Sequence, residues 1–208
     1  MEYSPRVDVY LFFSFDLVGA GRLKTHQFDR FHWVEFFRYF HSECQRHIAS
    51  RGVENAVVWK YLGDEVLFYQ RIETPYQVEH AIRSIDRTLI AFMKELRESA
   101  KYAAAAQYVT IRALAWLAPV LSLAENVPEK MSALVRELAK LELLTGDQMF
   151  HDRENQILDF LGPNIDTGFQ LHKTARPERI TISADLAEFL RGTDRPVLDA
   201  IIEAGAVT

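Results

Sequence analysis

The sequence predicts an α+β fold: a β-α-β-β-α-β unit with additional elements toward the C-terminal end. Three observations carry this. Val7 to Phe15 is dense in β-branched and aromatic residues, the composition of a strand buried on both faces. Ala56 to Tyr61 and Val66 to Ile72 flank the turn Leu62-Gly63-Asp64-Glu65, the pattern of a hairpin. Segments of helical spacing follow the first strand and the hairpin. The order is ferredoxin-like, an arrangement many functions share, so it assigns none by itself.

Taken along the chain, the first strand ends at Asp16, and Gly19 and Gly21 predict a tight turn within Leu17 to Leu23. Gln27 to Arg51 carries Phe28, Phe31, Trp33, Val34, Phe37, Phe40 and Ile48 at three- and four-residue spacing, predicting an amphipathic helix that stops near Gly52. After the hairpin, Thr74-Pro75 is a helix start, with Thr as cap and Pro at the first helical position. That helix is expected to run toward Ala104, and Gln107 to Leu117 reads as the next strand. Residues 119 to 152 are less clear, although Met131 to Leu144 has helical spacing before Gly146. Leu161-Gly162-Pro163 breaks the chain ahead of a helix over Ile165 to Ala175. A short strand over Arg179 to Ser183, a short helix over Ala184 to Leu190 and a last helix over Pro196 to Ala204 complete the reading. With no repeat and no linker, one domain is expected over 1–208, its core at about 7–190.

Composition narrows the function classes. Of 208 residues 49% are hydrophobic and 25% charged, which excludes wholesale disorder. The net charge of -5 argues against nucleic acid or an anionic membrane as the main partner. Cys44 is the only cysteine, so an intrachain disulfide and a cysteine zinc cluster are both excluded. The apolar run Ala113 to Ala124 contains Pro119 and is too short to span a bilayer. Asp8 and Asp16 interrupt the first apolar stretch, and no basic segment precedes it, unlike a secretory leader. A soluble cytoplasmic protein is expected.

Asp16 closes the first strand and Asp64 sits in the hairpin turn. In a βαββ arrangement the two carboxylates can converge at one end of the sheet. Paired carboxylates suit Mg²⁺ or Mn²⁺ bound together with nucleotide phosphates, although an Asp after a strand or in a turn is also a common surface residue. Gly19-Ala20-Gly21 follows directly and offers backbone N–H groups to phosphate. The histidines, among them His26, His32, His41 and His47, form no convincing metal-ligand pair.

In this context Phe13-Ser14-Phe15-Asp16-Leu17-Val18-Gly19 resembles the first metal motif of class III nucleotidyl cyclases. Lys60-Tyr61-Leu62-Gly63-Asp64 resembles their Lys-x-x-Gly-Asp hairpin, and Asp159-Phe160-Leu161-Gly162-Pro163-Asn164-Ile165-Asp166 their following Asp segment. Trp59-Lys60, Glu65, Leu67-Phe68-Tyr69, Ala115-Trp116, Phe160 to Pro163 and Ile165-Asp166-x-Gly168-Phe169 are more similar to the bacterial pyrimidine cyclases of anti-phage signalling, the Pycsar type. The resemblance covers about residues 7 to 190.

The resemblance implies the following. Asp16, Asp64 and the Leu17 carbonyl hold two Mn²⁺ or Mg²⁺ ions. Gly19, Ala20 and Gly21 cradle the triphosphate, Lys60 and Asp159 face the base, and Asp166 faces the ribose. The substrate is UTP, with CTP second, and the product is the 3′,5′-cyclic monophosphate, a messenger for a separately encoded effector. The enzyme is a homodimer with both sites at its interface. A bulky neighbour, Trp59 or Tyr61, is expected to narrow the base pocket. One departure stands out: Gln170 occupies the place of a transition-state arginine, and His172, Lys173 or Arg176 are the nearby cations that would replace it. An adenylate or guanylate cyclase and a degenerate nucleotide-binding dimer are the alternatives. A diguanylate cyclase fits less well, because Leu62 replaces the first glycine of its hairpin.

Overall fold

The fold is built on β1 (Arg6–Val18), which is paired along both edges. The computed structural model describes residues 6–25, 33–53, 55–122, 147–152 and 157–193. Leu11, Phe13, Phe15 and Leu17 of β1 enter one core layer, whereas Tyr10 and Phe12 enter the other and Ser14 and Asp16 continue that second face. This is the two-residue alternation of a strand covered on both sides.

β2 (Val57–Leu62) and β3 (Glu65–Ile72) form the hairpin. Gly63, at φ +66°, takes the first central position of its two-residue turn, as a type II′ turn requires. β3 and β4 (Thr110–Ser122) both pair antiparallel with β1, giving the predicted ferredoxin-like order β2-β3-β1-β4. The far edge of β4 is shared. β7 (Ile180–Ile182) joins it in parallel at Ala113 to Ala115, and β5 (Asp147–Asp152) joins it at Val120 and Leu121. β6 (Ile157–Leu161) pairs antiparallel with β5.

On one face, α2 (Trp33–Ser50), α3 (Pro75–Glu98) and α5 (Ala184–Thr193) cover the larger core, with Phe36, Phe40, Phe92, Leu96 and Leu190 fully buried. α3 begins where Thr74-Pro75 predicts. Gln77 Oε1 accepts hydrogen bonds from the N–H groups of Glu73 and Thr74, at 2.7 and 3.0 Å, and Pro75 needs no partner there. On the other face a smaller aromatic core gathers Tyr10, Phe12, Trp59, Trp116 and Phe160 beneath α4 (Pro163–Gln170).

Several boundaries differ from the sequence expectation. The turn after β1 is one residue, Gly19, followed by a short helix, α1 (Ala20–Thr25). The next helix begins at Trp33, residues 26–32 lying outside the described residues. α3 stops at Glu98, and a 3₁₀ turn over Ala103–Gln107 precedes β4. α4 ends at Gln170 in a second 3₁₀ turn, Leu171–Lys173. The β5–β6 hairpin was not expected. The helices expected at Met131 to Leu144 and Pro196 to Ala204 lie outside the described residues. No helix among the described residues is long and apolar enough to cross a membrane.

Two glycines are fixed by packing. Gly19, at φ +94°, has the Tyr108 carbonyl 2.2 Å from where a Cβ would sit. Gly168 lets α4 lie directly on Trp116, and a Cβ there would be 2.0 Å from Trp116 Cε2. Gly168→Ala is therefore expected to lower unfolding stability by about 1–3 kcal/mol, the usual cost of overpacking. Denaturant unfolding against wild type checks this, and an unchanged midpoint would show that α4 can move off Trp116.

Candidate active site

The register of the three central strands assembles the site. Asp16 on β1 lies opposite Glu65 on β3 and opposite Arg112 on β4, so the three side chains share one row on the α4 face of the sheet. Asp16 and Glu65 are buried, at 8% and 6% exposure. The Leu17 N–H donates to the Asp64 carbonyl at 3.2 Å, which holds the hairpin turn against the end of β1. Asp16, Leu17 and Asp64 are thus neighbours.

Arg112 compensates this acidity. Its Nε donates to Asp16 Oδ2 at 2.7 Å and its Nη1 to the Ala175 carbonyl at 3.3 Å, while Nη2 lies 3.2 Å from His172 Nδ1. His172 Nε2 is 2.9 Å from Glu65 Oε1. The contacts assign the proton of a neutral ring to Nε2, so that Nδ1 accepts from Arg112. Burial raises the Asp16 pKa above the ordinary carboxylate value. The hydrogen bond and charge of Arg112 oppose that rise, and Glu65 and Asp64 add to it. Arg112 is paired with Asp16 and His172 with Glu65, and Asp64 adds a further carboxylate at the same end of the sheet, a group of hard oxygen donors of the kind that suits a divalent cation. Asp16, Leu17 and Asp64, the positions the sequence offers for a metal, lie together at this end of the sheet.

Sequence reasoning missed Arg112 and the pairing of Glu65 with His172. A signal existed for the first, since Arg112 is the one charged residue from Val109 to Val120. His172, a sequence candidate for replacing the missing arginine, is engaged with Glu65 and Arg112.

Beyond this row lies a second polar pair. Lys60 Nζ is 2.7 Å from Asp159 Oδ1, the two side chains being 30% and 35% exposed. Asp159 Oδ1 also accepts from the Phe160 N–H at 2.9 Å. Lys60 reaches the α4 face because β2 has a bulge. Val58 is opposite Phe68 and Lys60 opposite Leu67, leaving Trp59 as the extra residue. Trp59 and Lys60, although consecutive, point to the same side, and Lys60 Nζ sits 3.9 Å from the Trp59 ring centroid. Of the two bulky residues expected to narrow a base pocket, Trp59 is buried in the aromatic core of this face. Tyr61 is half exposed, and its hydroxyl accepts from Gln45 of α2 at 2.8 Å.

Gly19 carries the start of α1, its carbonyl accepting from the N–H groups of Arg22 and Leu23. Ala20 is buried, and Gly21 has open space around it. Asp166 and Gln170 are one helical turn apart on the exposed side of α4, opposite the buried Ile165 and Gly168. Among the described residues they do not meet the Asp16 row. A separate cluster, Glu43, His47 and Glu95, joins α2 to α3, and Arg46 Nη2 lies within it, 2.6 Å from Glu95 Oε2 and 3.1 Å from His47 Nε2. It is an ion-pair seam on the face away from the site.

No protein-family model matches the chain, and no curated protein does. Solved structures do. The adenylyl cyclase CyaB from P. aeruginosa superposes with a TM-score of 0.62 at 12% identity, over 92% of this chain and 84% of that one. The guanylate cyclase domain of RhGC from Catenaria anguillulae, in complex with GTP, gives 0.58 at 11% identity, over 89% and 83%. The guanylyl cyclase domain of the RhoGC fusion protein from Blastocladiella emersonii gives 0.58 at 12%, over 89% and 86%. The fold is that of class III nucleotidyl cyclase domains.

The hydrogen bond to Glu65 raises the His172 pKa. Burial opposes the rise, the charges of Glu65 and Asp16 add to it, and that of Arg112 lowers it. A raised folded-state value stabilises the fold fully below the unfolded value of about 6.5, and this stabilisation is lost as pH rises through the folded one. The melting-temperature gap between wild type and His172→Gln should thus be widest below about pH 6 and shrink toward alkaline pH. Melting scans from acid to alkaline pH check it. A gap that widens with pH would contradict the ion pair.

Proposed function

We propose that the chain is a homodimeric pyrimidine nucleotide cyclase that converts UTP, and CTP second, to the 3′,5′-cyclic monophosphate and pyrophosphate. The observation that carries the reading is the assembly of Asp16, Asp64 and Arg112 at the end of the central strand, with the Lys60–Asp159 pair on the same sheet face. The fold neighbours support nucleotide cyclisation in general. The pyrimidine base rests on the sequence resemblance.

The residues divide the work. Asp16, Asp64 and the Leu17 carbonyl would hold two Mg²⁺ or Mn²⁺ ions, which would supply Lewis-acid activation of the ribose 3′-hydroxyl and charge neutralisation. The 3′-hydroxyl gives its proton to water, its oxygen attacks the α-phosphorus, the bond from that phosphorus to the α,β-bridging oxygen breaks, and pyrophosphate leaves with the charge. Arg112 is the cation beside that charge, and the Ala20 and Gly21 N–H groups at the start of α1 are phosphate donors. From the other protomer, Lys60 donates to the base, Asp159 accepts from it and Asp166 takes the ribose. Gln170 leaves α4 without a cation, so positive charge must come from β4.

A second copy fits the exposed apolar side chains along β2, the edge strand: Val57, Tyr61 and Leu62. Adenylate or guanylate cyclisation remains the nearest second reading, since Lys60 and Asp159 also match the N1 and N6 edge of adenine. The exposed, uncharged Gln170 favours a third, a nucleotide-binding dimer without turnover. A messenger role in antiviral defence, read by a separate effector in the cytoplasm, follows from the sequence resemblance.

The test is direct. Purified protein with Mn²⁺ is given ATP, GTP, CTP or UTP separately, and products are resolved by mass. A cyclic pyrimidine monophosphate is expected. A cyclic purine product would discard the base assignment, and binding without product would favour the third reading. Asp64→Asn should lower turnover by at least about 100-fold, the scale for removing one charge-stabilising group, with the dimer intact by size-exclusion chromatography. Retained turnover would remove Asp64 from the chemistry.

A further inference from the structure

Resting on the cyclase reading above, we propose that His172 is a positioning residue, which by engaging Glu65 keeps the Arg112 guanidinium available to the triphosphate. Asp16 lies directly opposite both Glu65 on β3 and Arg112 on β4, so those two side chains are separated by the width of β1. The His172 ring bridges them, with Nε2 2.9 Å from Glu65 Oε1 and Nδ1 3.2 Å from Arg112 Nη2. Fixed backbone carries the ring. Leu171 and Ala175, on either side of it, pack against the aromatic core of this face, and the Thr174 N–H donates to the Leu171 carbonyl at 3.1 Å.

The donors of Arg112 define what this arrangement provides. A guanidinium has five N–H groups. Nε donates to Asp16, one Nη1 hydrogen to the Ala175 carbonyl and one Nη2 hydrogen to His172, which leaves one on each terminal nitrogen without a partner among the described residues. Terminal N–H groups in pairs are the fork that takes a phosphate. Glu65 is the competitor for that fork. Its carboxylate is buried, and among the described residues His172 is its hydrogen-bond partner. A buried carboxylate deprived of its donor is unfavourable and draws on any cation in reach. The other cation of this row is Arg112, which would then serve two carboxylates instead of one. The two contacts of His172 are therefore unequal. Its donor to Glu65 removes the competitor, whereas its acceptor receives only one of several Arg112 N–H groups. The segment that carries no cation at Gln170 thus contributes to phosphate binding two residues later, through other side chains.

The experiment uses the full chain and inorganic tripolyphosphate with Mn²⁺, a probe that carries the charge of the substrate without a base. His172→Asn offers an acceptor near the Nδ1 position and withdraws the donor from Glu65, whereas His172→Gln offers a donor near the Nε2 position. Calorimetry is expected to show binding weakened about 10-fold in His172→Asn and less than about 3-fold in His172→Gln, the scale of one hydrogen bond to a charged group. Adding Glu65→Gln to His172→Asn is expected to bring the affinity back to within about 3-fold of wild type, since the competing charge is gone. If His172→Asn fails to fold, the Glu65→Gln background carries the test. There His172→Leu should bind tripolyphosphate within about 2-fold of Glu65→Gln itself, because the two sites act through one interaction. Equal affinities of the Asn and Gln variants, a loss in His172→Asn that Glu65→Gln does not relieve, a further loss from His172→Leu in the Glu65→Gln background, or no binding of tripolyphosphate by wild type overturns the inference and leaves the cyclase reading standing. No cyclic product from any nucleotide with wild type overturns the cyclase reading itself.

Discussion

The structure depends on how one buried row of charge is compensated. Asp16 and Glu65 are cross-strand neighbours on adjacent strands and nearly excluded from solvent, with Asp64 one residue away. Like charges placed so close repel, by about 4 kcal/mol for a pair 4 Å apart at an effective dielectric constant of 20. Arg112 makes the row tenable from β4, and His172 makes it tenable from the 3₁₀ turn after α4. Each cation arrives from a different element, so the ends of β1, β3, β4 and α4 are tied together by the same charges that shape the site. Leaving one buried charge unpaired typically costs about 3–5 kcal/mol. The carboxylates and cations of the candidate site are thus the same groups whose mutual pairing ties the strand ends together.

The second constraint is steric. Phe12 stacks on Trp116 at 5.5 Å and meets Phe160 edge-on at 4.9 Å, and Trp59 meets Phe160 edge-on at 5.2 Å. This aromatic layer is the floor on which the polar groups of the α4 face stand. Phe160 belongs to β6, next to Asp159, so the same packing that fills the layer sets the reach of Asp159 toward Lys60. α4 lies close because Gly168 has no side chain to hold it off. The Lys60–Asp159 pair and the helix carrying Asp166 and Gln170 are therefore positioned by one small core rather than by loops.

Much of this was legible in the sequence. The β-branched and aromatic run from Val7 to Phe15, the Gly63-Asp64 turn and the Thr74-Pro75 start each encode a local rule, and each appears where that rule puts it. The convergence of Asp16 with Asp64 followed from topology, because the first strand of a βαββ unit lies beside the hairpin. The β5–β6 hairpin was not legible, since β5 is largely polar and β6 is an apolar run of only five residues with Asp159 at its centre. Nor was the bulge at Trp59. A bulge is a mismatch between two strands, and β2 alone shows only a run of β-forming residues. The role of Arg112 was hidden differently: a lone arginine in an apolar strand suggests a buried partner, but its identity depends on register.

The cation count at the site bears on Gln170. On α4 the exposed pair Asp166 and Gln170 carries one negative charge and no positive one. Among the described residues the cations beside the Asp16 row and Asp159 are instead Arg112, Lys60 and, when protonated, His172, and each is already paired with a carboxylate. Phosphate arriving at this site would compete with Asp16 for Arg112, and any divalent ion would compete with Arg112 for Asp16. These competitions run in the same direction. A cation taken up by Asp16 releases the guanidinium to the phosphates, and phosphates that draw away the guanidinium free the carboxylate for the cation. On the proposed function, nucleotide and metal would be linked through this ion pair, and positive charge would be delivered by exchange within the row rather than by a residue held in reserve on the helix.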